Sequence, residues 1–305
     1  MNIYFPIAEL SANVFVILGI GGGIGVLSGI FGVGGGFLMT PLLMFVGVPP
    51  GVAVATGANQ IVAASISGVL AHWRRGNVDV KMGVVLLIGG LVGSTLGVSL
   101  FSLLKQIGQV DFVVQICYVV FLGIIGGLML IEAVQSMIST GVTKPKKKRE
   151  RNWTHALPFK MHFRRSRLYI SVLMPLGVGI FVGILSAIMG VGGGFVMVPA
   201  MIYLLRMPTV VVVGTSLFQI IFVTANVTIL QSVQNQTVDI VLALVLIFSG
   251  VIGAQFGARL GAVLKGEQLR GLLALMVLAV SLKIMFDLAA TPTDIYSSIG
   301  VLQGN

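Results

Sequence analysis

Two stretches hold residues whose type and spacing could do chemistry. Leu27–Pro41 reads LSGIFGVGGGFLMTP and Leu185–Pro199 reads LSAIMGVGGGFVMVP, identical at eleven of fifteen positions at a constant offset of 158. Each copy sets a glycine run inside a long apolar stretch. Irregular backbone at membrane depth survives only where protein buries it or where it lines a watery cavity. Glycine admits backbone angles that aim several N–H groups one way, with no side chain in front of them. A short helix begins directly after each cluster. Its first N–H groups lack intrahelical partners, and its dipole is positive at that end. Gly34, Gly35 and Gly36, with Gly192, Gly193 and Gly194, therefore read as backbone sites for a small anion, built without Lys or Arg. Neither copy is a nucleotide loop: the Lys of a phosphate-binding loop is absent, and neither completes G-x-G-x-x-G.

Polar side chains on the next helices match that chemistry. Thr56 and Gln60 lie four apart, on one helix face, with Asn59 adjacent. Thr215, Ser216 and Gln219 repeat the theme in the second half. Neutral amides and hydroxyls can donate to an oxyanion without the cost of burying a cation. Hydrogen bonding between helices is the competing use of the same groups. If Gln60 and Gln219 face one central site, each supplies an amide donor to the same ion. Asp79 and Asp239 stand at equivalent helix starts and read as N-caps. His72, Trp73, Arg74 and Arg75 read as anchors at a membrane interface, with anion gathering as the alternative. Lys283 and Asp287, four apart, read as a pair.

Enzyme chemistry has little to work with. Cys117 is the single cysteine, and two of the three histidines fall in the linker described below. No clustered nucleophile and base, cofactor motif or metal-ligand spacing is present. Apart from Glu132 and Lys283, near helix ends, the spans hold no ionisable side chain of the kind proton relays use.

The elements that must position these groups are membrane helices. The 305 residues are 56% hydrophobic and 9% charged, with a mean hydropathy of +1.06. A soluble chain carries about a quarter charged residues. Apolar runs predict helices at about 12–31, 36–47, 52–73, 82–102 and 111–138, then 168–189, 194–206, 209–231, 239–262 and 267–288. The N-terminus has no Lys or Arg before its apolar run, unlike a cleaved signal peptide, so the first helix is expected to stay. The repeat extends past the glycines. VATGANQI at Val54–Ile61 matches VGTSLFQI at Val213–Ile220, and Val78-Asp79 matches Val238-Asp239. The fold class expected is all-α: a polytopic membrane protein of two inverted five-segment repeats, with about eight full spans and two short half-helices. Residues 1–138 form the first repeat, 139–167 a basic linker and 168–305 the second repeat. Glycines four apart, in Gly19/Gly23 with Gly25/Gly29, Gly89/Gly93/Gly97 and Gly253/Gly257/Gly261, predict close helix packing.

Charge sets the expected orientation. Ten of the nineteen Lys and Arg lie between Lys144 and Arg167, opposed only by Glu150, so this segment holds +9 of the net +10. Such a loop marks the cytoplasmic side and is expected near anionic lipid headgroups. With no fold to present its charge, it is not read as a nucleic-acid site. The loop with Arg74, Arg75 and Lys81 also falls inside, whereas its equivalent, Gln231–Asp239, has no positive charge and falls outside. Equivalent loops on opposite faces are the mark of inversion, with the substrate at the repeat interface near the midplane. Both termini are then outside.

The paired GVGGGF…P motifs, the RRGNVD stretch after the third segment and the GxxxGxxL pattern resemble the TauE/SafE family of sulfite exporters. The resemblance covers both halves outside the linker. It implies an inner-membrane carrier for sulfur-containing anions such as sulfite and organosulfonates, acting mainly in export. The residues themselves reach a carrier of a small anion, which leaves another oxyanion or a carboxylate as the alternative substrate.

Overall fold

The computed structural model describes residues 2–31, 36–138, 159–163, 165–166, 168–261 and 266–289. Of the linker expected over 139–167, residues 139–158, 164 and 167 lie outside them. Six helices are long and apolar enough to cross a bilayer: α3 (Pro50–Arg74), α4 (Val80–Ile107), α5 (Val110–Ile138), α8 (Thr209–Leu230), α9 (Ile240–Gly261) and α10 (Gly266–Ala289). Four apolar helices are shorter: α1 (Val14–Phe31), α2 (Gly36–Phe45), α6 (Leu173–Met189) and α7 (Gly194–Pro199). Large apolar side chains such as Ile88, Leu96, Phe248 and Leu275 face outward, about half exposed or more. A chain apolar outside as well as in belongs in lipid. This is an all-α polytopic membrane protein.

Local chemistry sets the helix ends. Pro49 and Pro208 stand as the N-terminal flanking residues of α3 and α8, where a fixed φ and a missing N–H do no harm. Gly108 and Gly190 close α4 and α6 in the left-handed conformation, their N–H groups returning to Leu104 and Ser186 carbonyls. The short second segments contain Pro41 and Pro199. After Pro199 the helix widens into one π turn, Ala200–Leu204. Proline lacks an N–H and crowds the carbonyl four residues back, which favours the wider turn.

Each half opens on an element that the hydropathy pattern conceals. β1 (Asn2–Phe5) pairs antiparallel with β2 (Leu10–Asn13), and β3 (Lys160–Phe163) with β4 (Leu168–Ser171), again offset by 158. The helix expected from 168 thus starts at Leu173, after a hairpin. The hairpins are held by the two aspartates. Asp79 caps α4 by accepting from the Met82 N–H, and its other oxygen accepts from the Ser166 N–H and hydroxyl at 2.9 and 2.6 Å. Asp239 caps α9 through the Leu242 N–H and accepts from Ile7 and Ala8 N–H at 3.1 and 3.4 Å. Both carboxylates are buried, and a buried carboxylate needs such donors. The N-cap expectation holds, and each cap also grips the other half's hairpin.

The halves exchange partners throughout. α1 packs on α9 and α4 on α6, while α3 pairs with α8 and α5 with α10. Gly89, Gly93 and Gly97 lie against α6 backbone, and Gly253 and Gly257 against α1 backbone, so closely that a Cβ would overlap it. On α1 the packed face carries Gly21, Gly22 and Gly25. Gly19 and Gly23, expected in that seam, face open space. Residue pairings give directions. Gly68 meets Leu217 and Gly214 meets His72, so α3 and α8 run antiparallel. Gly123 meets Ser281 and Gly126 meets Val277, so α5 and α10 do too.

Candidate functional site

Gly36 and Phe37, where the first glycine motif leads into α2, meet the second motif between α3 and α8. Phe37 and Phe195, equivalent residues at the starts of α2 and α7, stack with ring centroids 4.8 Å apart and planes 19° apart. Gly36 sits against Ile61 of α3, and a Cβ there would stand 3.1 Å from the Val191 carbonyl oxygen in the other motif. Gly34 and Gly35 lie outside the described residues. In the second motif Gly190, Gly192 and Gly193 have φ of 69°, 69° and 74°, the left-handed region that glycine occupies without penalty. A Cβ on Gly192 would meet Ile61 at 2.7 Å, Thr224 at 2.9 Å and Ile220 at 3.3 Å, so this residue wedges into the α3/α8 seam. Gly193 is the N-cap of α7, and Gly194 begins the helix.

One expectation about the glycines changes. A side chain on Gly193 would not project toward an incoming anion. It would run into α6, 2.5 Å from Val182 Cγ1. The glycine is there to let the loop press against α6.

The polar side chains divide into two groups. Thr56 Oγ1 accepts from the Asp239 N–H at 3.1 Å, and Thr215 Oγ1 accepts from the Asp79 N–H at 3.0 Å. Both threonines are fully buried. Each holds the start of the other half's fourth helix, so bonding between helices accounts for them. Ser216 donates back to the Val213 carbonyl, and Asn59 donates to the Ala55 and Thr56 carbonyls of its own helix.

Gln60 and Gln219 are different. Gln219 is completely buried, and neither its Oε1 nor its Nε2 has a hydrogen-bond partner among the described residues. Its amide rests on Gly90 of α4, where a Cβ would approach Nε2 to 2.5 Å. Gln60, 4% exposed, rests in the same way on Gly250 of α9. The amides rest on different helices, Gln219 on α4 and Gln60 on α9. An orphaned buried amide costs about 1–3 kcal/mol, so a native fold that keeps one calls for a reason.

Other groups support the site. Ser186, inside the repeated fifteen-residue motif, is buried beside Gly193, and its hydroxyl has no partner among the described residues. Its place within the duplicated stretch was a signal available in the sequence. Tyr118 of α5 donates its buried hydroxyl to the Met189 carbonyl at 2.5 Å, holding the chain just before the glycines. A tyrosine in mid-span was the clue there, since a buried phenol needs an acceptor. Farther out, Lys283 and Asp287 pair at 3.2 Å as expected, and Tyr203 donates to Glu132.

Comparison with known proteins agrees with this architecture. The family model described as "Sulfite exporter TauE/SafE" matches residues 17–284. A probable membrane transporter protein of Xylella fastidiosa (strain 9a5c) is 28% identical over 278 residues, covering 90% of this chain and 95% of the relative. YjnA of Bacillus subtilis (strain 168), named a probable membrane transporter protein, is 26% identical over 262 residues, covering 86% and 96%. YunE of the same organism, named likewise, is 28% identical, covering 83% and 88%. No solved structure gives a significant match.

Proposed function

The chain belongs to the TauE/SafE family of membrane transporters, and from that premise we propose that it exports a small sulfur-containing anion, sulfite or an organosulfonate, across the cell's inner membrane. The observation that carries this reading is Gln219, a fully buried amide with no partner among the described residues, on α8, the helix whose Ile220 and Thr224 flank Gly192. The backbone N–H groups at the starts of α2 and α7 and the amide of Gln219, with Gln60 in the equivalent place, would replace the hydration of an oxyanion.

Alternating access follows from the duplication. Two halves that exchange partners can rock about the α3/α8 seam, exposing the glycine motifs to one face and then the other. Inverted insertion is supported by the antiparallel running of α3 against α8 and of α5 against α10. Reporter fusions at Asn77 and Asn235 are expected to give opposite sidedness, with Asn77 cytoplasmic. The same side for both would overturn the inverted arrangement.

The substrate is tested by flux into vesicles holding the purified full chain, with sulfite, sulfoacetate, sulfate and lactate compared. Sulfite or sulfoacetate is expected to move fastest. Faster movement of lactate or sulfate would reassign the carrier to a carboxylate or to another oxyanion.

A further inference from the structure

A second place in the molecule is built for an anion, and it is remote from the glycine motifs. Where α3 hands over to α4, a cavity of about 290 Å³ is lined by Trp73, Gly76, Val78, Asp79, Val80, Lys81 and Arg165. Arg165, from the turn of the β3–β4 hairpin, donates one guanidinium N–H to the Gly76 carbonyl, which leaves its other donors available. Lys81 stands in the first turn of α4, whose positive dipole end disfavours a cation. Asp79, in the same wall, directs its oxygens to the Met82 N–H and to the Ser166 N–H and hydroxyl, so its one negative charge stands against two cations and leaves the wall net positive. No ion pair forms in the cavity; among the described residues the only one is Lys283–Asp287. Two cations and a helix N-terminus thus surround a hollow without a free carboxylate.

The duplication supplies an internal control. The equivalent place in the other half keeps every part that the fold needs: Val238 for Val78, Asp239 for Asp79, and Gln236 at φ 51° for Gly76 at φ 70°. It keeps none of the positive charge. Val241 stands for Lys81 and, at the same offset of 160, Val233 for Trp73, while Ile7 stands for Arg165. The cations and the tryptophan are therefore additions that the scaffold does without elsewhere.

The surroundings identify the ligand. Trp73 is 51% exposed at the rim, and tryptophan of this kind sits at headgroup level in a bilayer. From the rim an apolar stripe runs outward along α4 through Val80, Val84, Ile88 and Leu91, all exposed. We propose that the cavity seats the phosphate of an anionic phospholipid between Lys81 and Arg165, with its acyl chains lying along the α4 stripe. A free oxyanion shares the headgroup's chemistry but has no use for the stripe.

The test uses the full chain in bilayers with Trp153→Phe, which leaves Trp73 as the only tryptophan. Chain-brominated phosphatidylglycerol is expected to quench Trp73 about twenty-five-fold more effectively than brominated phosphatidylcholine at equal mole fraction, about fivefold for each of the two cations. Lys81→Gln should lower that preference about fivefold, the contribution of one cation near an anionic surface. Adding Arg165→Gln should bring the two lipids level. Lys81→Gln leaves the Arg165–Gly76 brace in place, so its result stands even if the double variant folds poorly. Equal quenching by both lipids in the parent protein, or a preference unchanged by Lys81→Gln, would overturn the proposal. Relief of quenching by millimolar inorganic phosphate or sulfite would assign the cavity to a soluble anion and equally overturn it.

Discussion

Gln219→Leu is expected to weaken substrate binding and, at the same time, to make the protein harder to unfold. The wild-type side chain buries an amide whose two polar atoms have no partner among the described residues. Leucine of similar size removes that polar group and keeps the packing over Gly90, which should raise stability by about 1–3 kcal/mol. If the amide donates to the transported anion, its loss costs about 1.5–3 kcal/mol of binding, roughly tenfold to a hundredfold in affinity. The opposite signs separate a site residue from a packing residue. Binding of sulfite to the purified variant and its thermal unfolding in detergent measure both. Unchanged affinity would remove Gln219 from the site. Gln60→Leu is expected to lower affinity in the same direction. Because both amides would donate to one ion, their losses should depart from additivity in the double variant.

Gly193→Val is expected to insert into the membrane normally and to lose transport. The backbone here has φ of 74°, a conformation that costs a residue with a Cβ about 1–2 kcal/mol, and a β-branched one more. The new side chain would also stand 2.5 Å from Val182 Cγ1. Val182 belongs to a helix, where its χ1 is stiff, so it cannot swing aside. Relief comes by moving the loop, and that carries the first N–H groups of α7 out of register with an ion. Hydrogen bonds weaken steeply with such misplacement. Adding Val182→Ala removes the clashing atom but leaves the backbone strain, so the double variant should recover part of the flux. Vesicle flux normalised to inserted protein is the measurement. Normal transport by Gly193→Val would make the glycines packing elements only.

The membrane class, the duplication, the short second segments and the glycine motifs were all legible along the chain. The hairpins were not. Their strands are four residues long, too short to carry a pattern, and what holds them is an aspartate 87 or 231 residues away. α1 shows a different limit. With glycine at 19, 21, 22, 23 and 25, a four-residue spacing can be drawn on more than one face, and α9 alone decides that Gly21, Gly22 and Gly25 form the seam.

The candidate site divides along the same line. Sequence alone determined that two copies of a glycine break, each followed by a half-helix and a polar helix face, would be set in lipid. These are sums of hydropathy and identity taken along the chain, and they need no knowledge of neighbours. The tertiary structure decided which polar groups were already committed. Thr56 and Gln60 share one helix face, yet the threonine meets the Asp239 N–H while the glutamine meets a glycine with nothing to offer. A hydroxyl or an amide is spent or free according to the atom that another helix brings opposite it. That atom comes from the other half of the chain, where no local pattern can specify it.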